Sequence, residues 1–185
     1  EDHRHGIIHD CLPTPEGIQI CRDYHIQMPM QSAFIGWKQE PDDYLEHILG
    51  HDRLEKLNPI RTFRDNNIVV SFGSDAPCTT PDPIAWMDRA VNNDNAGQAV
   101  SVQDALRMCT YNGAWAAFDE QERGSLEAGK IADMAVLSEN PYTVPKDKIK
   151  DIRVERLYLS GKSYESCRES ILPMMLRGLT SRNKA

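Results

Sequence analysis

The sequence predicts an α/β fold, with βα units of a parallel sheet or barrel over its first two-thirds and then a small antiparallel piece. Three observations predict it. Short apolar runs alternate with helix-starting signals up to about residue 120. One of those runs, Ile68-Val69-Val70-Ser71-Phe72, is β-branched and nearly continuous, as in a strand buried on both faces. After residue 120 the rhythm changes, and two strand-like runs at 134–137 and 152–159 follow with little helix between them.

Taken in order, Gly6-Ile7-Ile8-His9 suits a short buried strand. Thr14 is a good N-cap, and Pro15 suits the first helical position, so a helix is expected to about Tyr24. Residues 25–30 read as the next strand, with Pro29 an awkward member because it cannot donate to a ladder. A longer loop over 31–41 carries Phe34 and Trp37. Asp42 is expected to cap a helix ending near Gly50, and Pro59 to open another through Ile60 and Phe63 that stops at Asn66-Asn67. After the strand at 68–72, Asp82-Pro83 starts a helix with Ile84, Met87 and Val91 on one face. Ser101 and Asp104 form a capping-box variant, and the helix behind them should bury Val102, Ala105, Leu106 and Cys109. Gly161-Lys162 reads as a turn. The last twenty residues read as a helix, with a stripe of Ile171, Leu172, Met175 and Leu176, and a basic tail.

Composition narrows the class. The 185 residues fit one domain or one domain with an appendage, and 40% hydrophobic with 26% charged residues is an ordinary globular balance. The net charge of −7 and the lack of a Lys/Arg stripe argue against a nucleic-acid or anionic-membrane surface. No apolar run approaches the roughly 20 residues a membrane helix needs. Five cysteines with no C-x-x-C pair argue against a disulfide framework or a cysteine zinc site, and imply a reducing, cytoplasmic setting. The start at Glu1-Asp2-His3 leaves any targeting signal out of view.

In βα folds, reactive side chains gather at the C-terminal ends of strands. His9 ends the first strand. Asp75 follows the strand at 68–72 through Gly73-Ser74, where Gly73 is expected to let the chain turn sharply. An imidazole and a carboxylate on neighbouring strand ends can share a divalent metal, and zinc accepts both. A carboxylate there can also take a proton from water. A lone His at a strand end is more often structural, and Asp after a strand is often a helix cap. His3 and His5 form an H-x-H pattern, but their strand comes after them, at the non-catalytic end. Cys11 as a nucleophile lacks a His partner at a strand end. Trp37, Phe34, Trp86 and Trp115 suit core or pocket walls.

Longer motifs sharpen this. Residues 2–9, Asp2-His3-Arg4-His5-Gly6-Ile7-Ile8-His9, resemble the D-x-R-H-R-I-E-H segment of amidohydrolase family 3, the group of YtcJ-like metal-dependent amidohydrolases. Gln31 resembles that family's next strand end. Gly73-Ser74-Asp75-Ala76-Pro77 matches its G-S-D-A-P motif. Pro83 and Ala90-Val91 match a helix, and residues 124–133 match the G-S-L-x-x-G-K-x-A-D signature. The motifs keep their order over roughly residues 2–164.

The resemblance implies a (β/α)8 TIM-like barrel with a small β-sandwich. This chain would supply the C-terminal portion: strands six to eight within residues 1–120, a share of the sandwich in 121–164, and a terminal helix and tail in 165–185. It implies metal ligation by His9 and Asp75, with Asp75 the catalytic residue that takes a proton from the attacking water and passes it to the leaving nitrogen. Gln31, Phe34 and Trp37 would shape a small-molecule substrate pocket. The family's Glu before the final His is Ile8 here, so a hydrogen bond that orients His9 is expected to be missing. The glycines of 124–133 are expected to pass the chain from barrel to sandwich, with Asp133 fixing a turn.

The function so implied is hydrolysis of an amide or cyclic amide C–N bond in the full-length parent, with a divalent metal, zinc by preference. The upstream ligands and the N-terminal half of the barrel would lie before Glu1. The fragment alone is then expected to be inactive, to hold metal weakly and to self-associate through its open strand edges. The alternative is a packing or oligomerisation module with no turnover of its own.

Overall fold

A computed structural model describes residues 2–164; the helix and basic tail expected after residue 164 lie outside the described residues. Two short parallel strands lie at the centre, β1 (Met28–Met30) and β2 (Val70–Phe72), in register Met28↔Val70 to Met30↔Phe72. Segment 6–9 runs parallel along the other side of β1. The amides of Ile7 and His9 donate to the carbonyls of Gln27 and Pro29 at 3.0 and 3.1 Å, and the amide of Gln27 donates to His5 at 2.8 Å. Only Gly6↔Gln27 forms a regular bridge, so the expected first strand is reduced to one residue. Pro29 is the reason: its imide nitrogen faces this segment and has no hydrogen to give.

The helices follow the capping signals closely. Helix α1 (Pro15–Asp23) is capped by Thr14, whose hydroxyl accepts from Gly17 at 3.1 Å. Asp42 does not cap the next helix. It is the first residue of α2 (Asp42–Leu49), with Pro41 at the cap, where its carboxylate still suits the positive end of the helix dipole. After Gly50 comes α3 (His51–Leu54), then α4 (Ile60–Asp65). The carboxylate of Asp82 accepts from Ile84 and Ala85 at 3.1 and 3.2 Å and starts α5 (Pro83–Val91). At the head of α6 (Val102–Cys109) the Ser101 hydroxyl accepts from the Asp104 amide at 3.0 Å. The Asp104 carboxylate does not reach back to the Ser101 amide and accepts from the Ser101 hydroxyl at 2.6 Å instead. Two helices go beyond the sequence expectation: the one-turn α3, and α7 (Tyr111–Ala116), which Thr110 separates from α6 and which carries a central glycine.

The core gathers on the central strands. Met28, Met30, Val70, Ile60, Phe63 and Met87 are fully buried there. On α5 the buried face is Trp86, Met87, Ala90 and Val91, with Ile84 at its margin. On α6 Ala105 and Met108 are buried, while Val102, Leu106 and Cys109 lie at the edge of the cluster. Ile149, in a 3-10 turn at Lys146–Asp151, and Ile152 just after it belong to the same cluster. The described residues after 120 thus share the core of those before it.

The remainder is a three-stranded antiparallel sheet in the order β3 (Met134–Leu137), β4 (Val154–Leu159), β5 (Lys162–Tyr164). The turn between β4 and β5 is Ser160-Gly161, not Gly161-Lys162. Both residues have positive φ, 51° and 75°, the two-residue geometry that matches the twist of a hairpin. Asp133 fixes it: its carboxylate accepts from the Ser160 amide at 2.8 Å and from Arg123 at 3.0 Å. Gly124 (φ 88°) is needed where the chain crosses α7, since a Cβ there would lie 2.6 Å from that of Ala114.

Candidate active site

The three parallel segments end at the same side. His9 follows the first, Gln31 follows β1, and Gly73-Ser74-Asp75 follows β2. His9 and Asp75 therefore do not sit on neighbouring strands, as expected, but on strands separated by β1. Their side chains still converge, with His9 Nε2 3.6 Å from Asp75 Oδ2. Both residues have left-handed backbones, φ 73° and 52°, which take them out of the strand direction. Gly73 does not make the sharp turn; its φ is not positive, and the turn falls on Asp75. A Cβ at Gly73 would meet Gln31 Nε2 at 3.8 Å, an ordinary contact, so the position does not demand glycine for space either. The loop after Asp75 closes on itself, with the Cys78 amide donating to the Asp75 carbonyl at 2.8 Å and the Ala76 amide to the Ser74 hydroxyl at 3.1 Å.

The aromatic residues of the 31–41 loop stand beside this pair. The His9 ring stacks on Phe34 with centroids 5.7 Å apart, and Phe34 packs on Trp37 at 5.0 Å. Ile8, which stands where the resembled family has a Glu, is 62% exposed, and the ring of His9 packs on Phe34 instead. Gln31 is only 7% exposed, and its Oε1 has no hydrogen-bond partner among the described residues. A buried acceptor left without a donor carries a desolvation cost, so it marks a place where a ligand N–H would be welcome.

The donor set, an imidazole nitrogen and a carboxylate oxygen that are 40% and 45% exposed, fits two positions of a divalent metal. Among the described residues no group of three or more His, Cys, Asp or Glu is placed to hold a metal ion. Asp10 and Cys11 do not extend the pair. Burial pushes both up from their ordinary values, and for Cys11 the charges of Asp10 and Glu40 push the same way, so its thiol is held protonated. His3 and His5 stack on each other at 4.6 Å at the opposite end of the segment. There His3 borders a cavity of about 400 Å³, lined also by Arg4, Gln27 and Trp115.

Sequence reading missed two contacts that brace this frame. The Asn112 side chain donates through Nδ2 to the Val70 carbonyl of β2 at 2.7 Å, and Arg4 binds Glu120 through two 2.8 Å hydrogen bonds. Neither pair has a local sequence signal, because the partners are far apart in the chain.

Similarity to known proteins gives the family. The chain is 32% identical over 152 residues to an N-substituted formamide deformylase of Arthrobacter pascens, covering 78% of this chain and 26% of that protein. It is 25% identical over 124 residues to the putative amidohydrolase YtcJ of Bacillus subtilis, covering 62% of this chain and 23% of that one. It spans about a quarter of the length of these curated relatives. Its fold superposes on an uncharacterized metal-dependent hydrolase of Pyrococcus horikoshii with a TM-score of 0.68, at 22% identity, over 78% of this chain and 30% of that one. The family description matches residues 1–164, and the chain belongs to the amidohydrolase family.

Proposed function

We propose that this chain is the C-terminal share of a metal-dependent hydrolase that cleaves an amide or cyclic amide C–N bond in a small molecule. The observation that carries this reading is the convergence of His9 Nε2 and Asp75 Oδ2 to 3.6 Å at the C-terminal side of the parallel strands. In this reading segment 6–9, β1 and β2 are strands six, seven and eight of a (β/α)8 barrel, and β3 to β5 are a share of a β-sandwich. His9 and Asp75 would hold a divalent metal, zinc by preference, with further ligands and the rest of the barrel supplied by chain upstream of Glu1. When bound, the metal supplies Lewis acidity and lowers the pKa of water towards about 7.

The chain's own residues do the rest. Asp75 takes a proton from the attacking water as its oxygen bonds to the carbonyl carbon. The same proton then passes to the nitrogen as the C–N bond breaks, giving an acid and an amine. Phe34 holds the imidazole plane of His9, and with Trp37 it offers an apolar wall to the substrate. Gln31 Oε1, buried and unpartnered, would accept the substrate's N–H. The proposed setting is the cytoplasm, in keeping with four unpaired cysteines among the described residues; no helix among these residues is long and apolar enough to cross a membrane.

The test uses the full-length protein, stripped with a chelator and reloaded with zinc, with an N-substituted formamide and a simple cyclic amide as probes. Hydrolysis that disappears on stripping and returns on reloading is expected. Turnover that is indifferent to chelation, or absent for every amide tried, would overturn the reading. A second reading, a packing module without turnover, applies to the 185-residue chain alone. Its support is that two candidate ligands are fewer than the three protein ligands of a catalytic zinc site.

A further inference from the structure

We propose that Arg4 is a positioning residue that fixes the register of segment 5–9, and with it the place of His9, by clamping the chain to the end of α7. This rests on the reading of His9 as a ligand.

The segment needs such a clamp. It is an edge, held to the β1 side by three backbone hydrogen bonds, and Pro29 deprives it of a fourth. Its outward side chains give no help, since Ile7 and Ile8 are exposed. A strand held this loosely on one side is prone to slip, and a one-residue slip turns every side chain to the other face. Slippage would carry His9 away from Asp75.

Arg4 immediately precedes this segment and is tied more firmly than any residue in it. Its guanidinium makes a forked pair with Glu120, two hydrogen bonds of 2.8 Å each, and also donates to Asp2 at 2.9 Å and to the Trp115 carbonyl. Its Cζ lies over two rings, 4.4 Å from the centroid of Trp115 and 4.2 Å from that of Phe118. Only Arg offers a planar fork with two faces for aromatic packing, so Lys cannot reproduce it. The side chain is 9% exposed. Its own backbone is pinned as well: φ is 44°, and the Arg4 carbonyl accepts from the Gln27 side chain at 2.6 Å. One residue thereby ties segment 5–9 both to the residue preceding β1 and to the turn after α7.

The experiment is residue-resolved hydrogen exchange on the full chain, comparing wild type with Arg4→Met and Glu120→Gln. The Ile7 and His9 amides should exchange at least about tenfold faster in the variants, while Met28, in the β1–β2 ladder, stays within about twofold. If Arg4→Met does not fold, Glu120→Gln carries the same comparison. Unchanged protection at Ile7 and His9, or equal loss at Met28, overturns the clamp. Zinc affinity of the full-length protein separates the two layers: faster exchange with unaltered affinity leaves the clamp standing and removes His9 as a ligand. Faster exchange with affinity down about tenfold or more supports both.

Discussion

His9 Nε2 and Asp75 Oδ2 face each other at 3.6 Å across the end of β1, a strand to which neither residue belongs. Gln31, just past the end of that intervening strand, has its side-chain Oε1 buried and unpartnered among the described residues. A pair of this kind is a metal edge or a plain ion pair. What inclines it to chemistry is that both groups are open to solvent, so as an ion pair it would stabilise the fold very little.

If Asp75 moves the proton, Asp75→Asn in the full-length enzyme keeps the shape and loses the base. Turnover should fall at least about a hundredfold, the low end for a general base. His3→Ala, at the far end of the segment, should stay within a few-fold. Steady-state kinetics on the two variants decide it, and near-normal activity of Asp75→Asn refutes the assignment.

Zinc should bind the isolated 185-residue chain weakly, because His9 and Asp75 are two donors and no larger group occurs among the described residues. Equilibrium dialysis followed by metal analysis is the check. One zinc per chain that survives chelation, and is lost in His9→Ala, would mean that two residues suffice or that a third ligand has been overlooked.

The Arg4–Glu120 pair makes a pH prediction. Arg4 holds the Glu120 carboxyl at about 2, below its ordinary 4.5. The folded value is the lower one, so the contribution is complete above about pH 4.5 and fades as the pH falls towards 2. The stability gap between wild type and Glu120→Gln should be flat from neutral pH to about 5 and close below that. Urea titrations across this range would show it; a gap that widens on acidification contradicts the pairing.

Two glycines should behave differently on substitution by Ala. Gly124 has φ 88° and a neighbouring Cβ 2.6 Å from where its own would stand, whereas Gly129 has φ 98° and open space. Gly129→Ala should cost about 1 kcal/mol from backbone strain, and Gly124→Ala about 3 kcal/mol once the clash with α7 is added. Equal midpoints in chemical denaturation would show that α7 yields at no cost.

Self-association is expected of the chain by itself. Segment 6–9 has an open edge flanked by Ile7 at 44% and Ile8 at 62% exposure, and a second copy pairing along it is the simplest cover. Analytical ultracentrifugation at tens of micromolar should give dimers or larger species. A clean monomer there would show that this edge is protected by other means.

Local chemistry alone determined much of this protein. Thr14, Asp82 and Ser101 start their helices because a side-chain oxygen next to a free amide end is a short-range event, and the sequence displays it directly. The run at 68–72 announced a buried strand, and Gly124 and Asp133 announced a tight passage for equally local reasons. His9, Asp75 and Gln31 follow from strand-end position and motif, Phe34 and Trp37 from their place in the 31–41 loop, and the folded chain brings His9 to both Asp75 and Phe34. Tertiary structure decided the rest. That His9 and Asp75 meet over β1 depends on strand order. That the first strand shrinks to a single bridge depends on which way the bond-less nitrogen of Pro29 faces. That Arg4 finds Glu120, and Asn112 the Val70 carbonyl, depends on helices docking across more than forty positions of chain. Such contacts leave no periodicity to read, because a hydrogen bond between distant residues imposes no pattern on the residues around either partner.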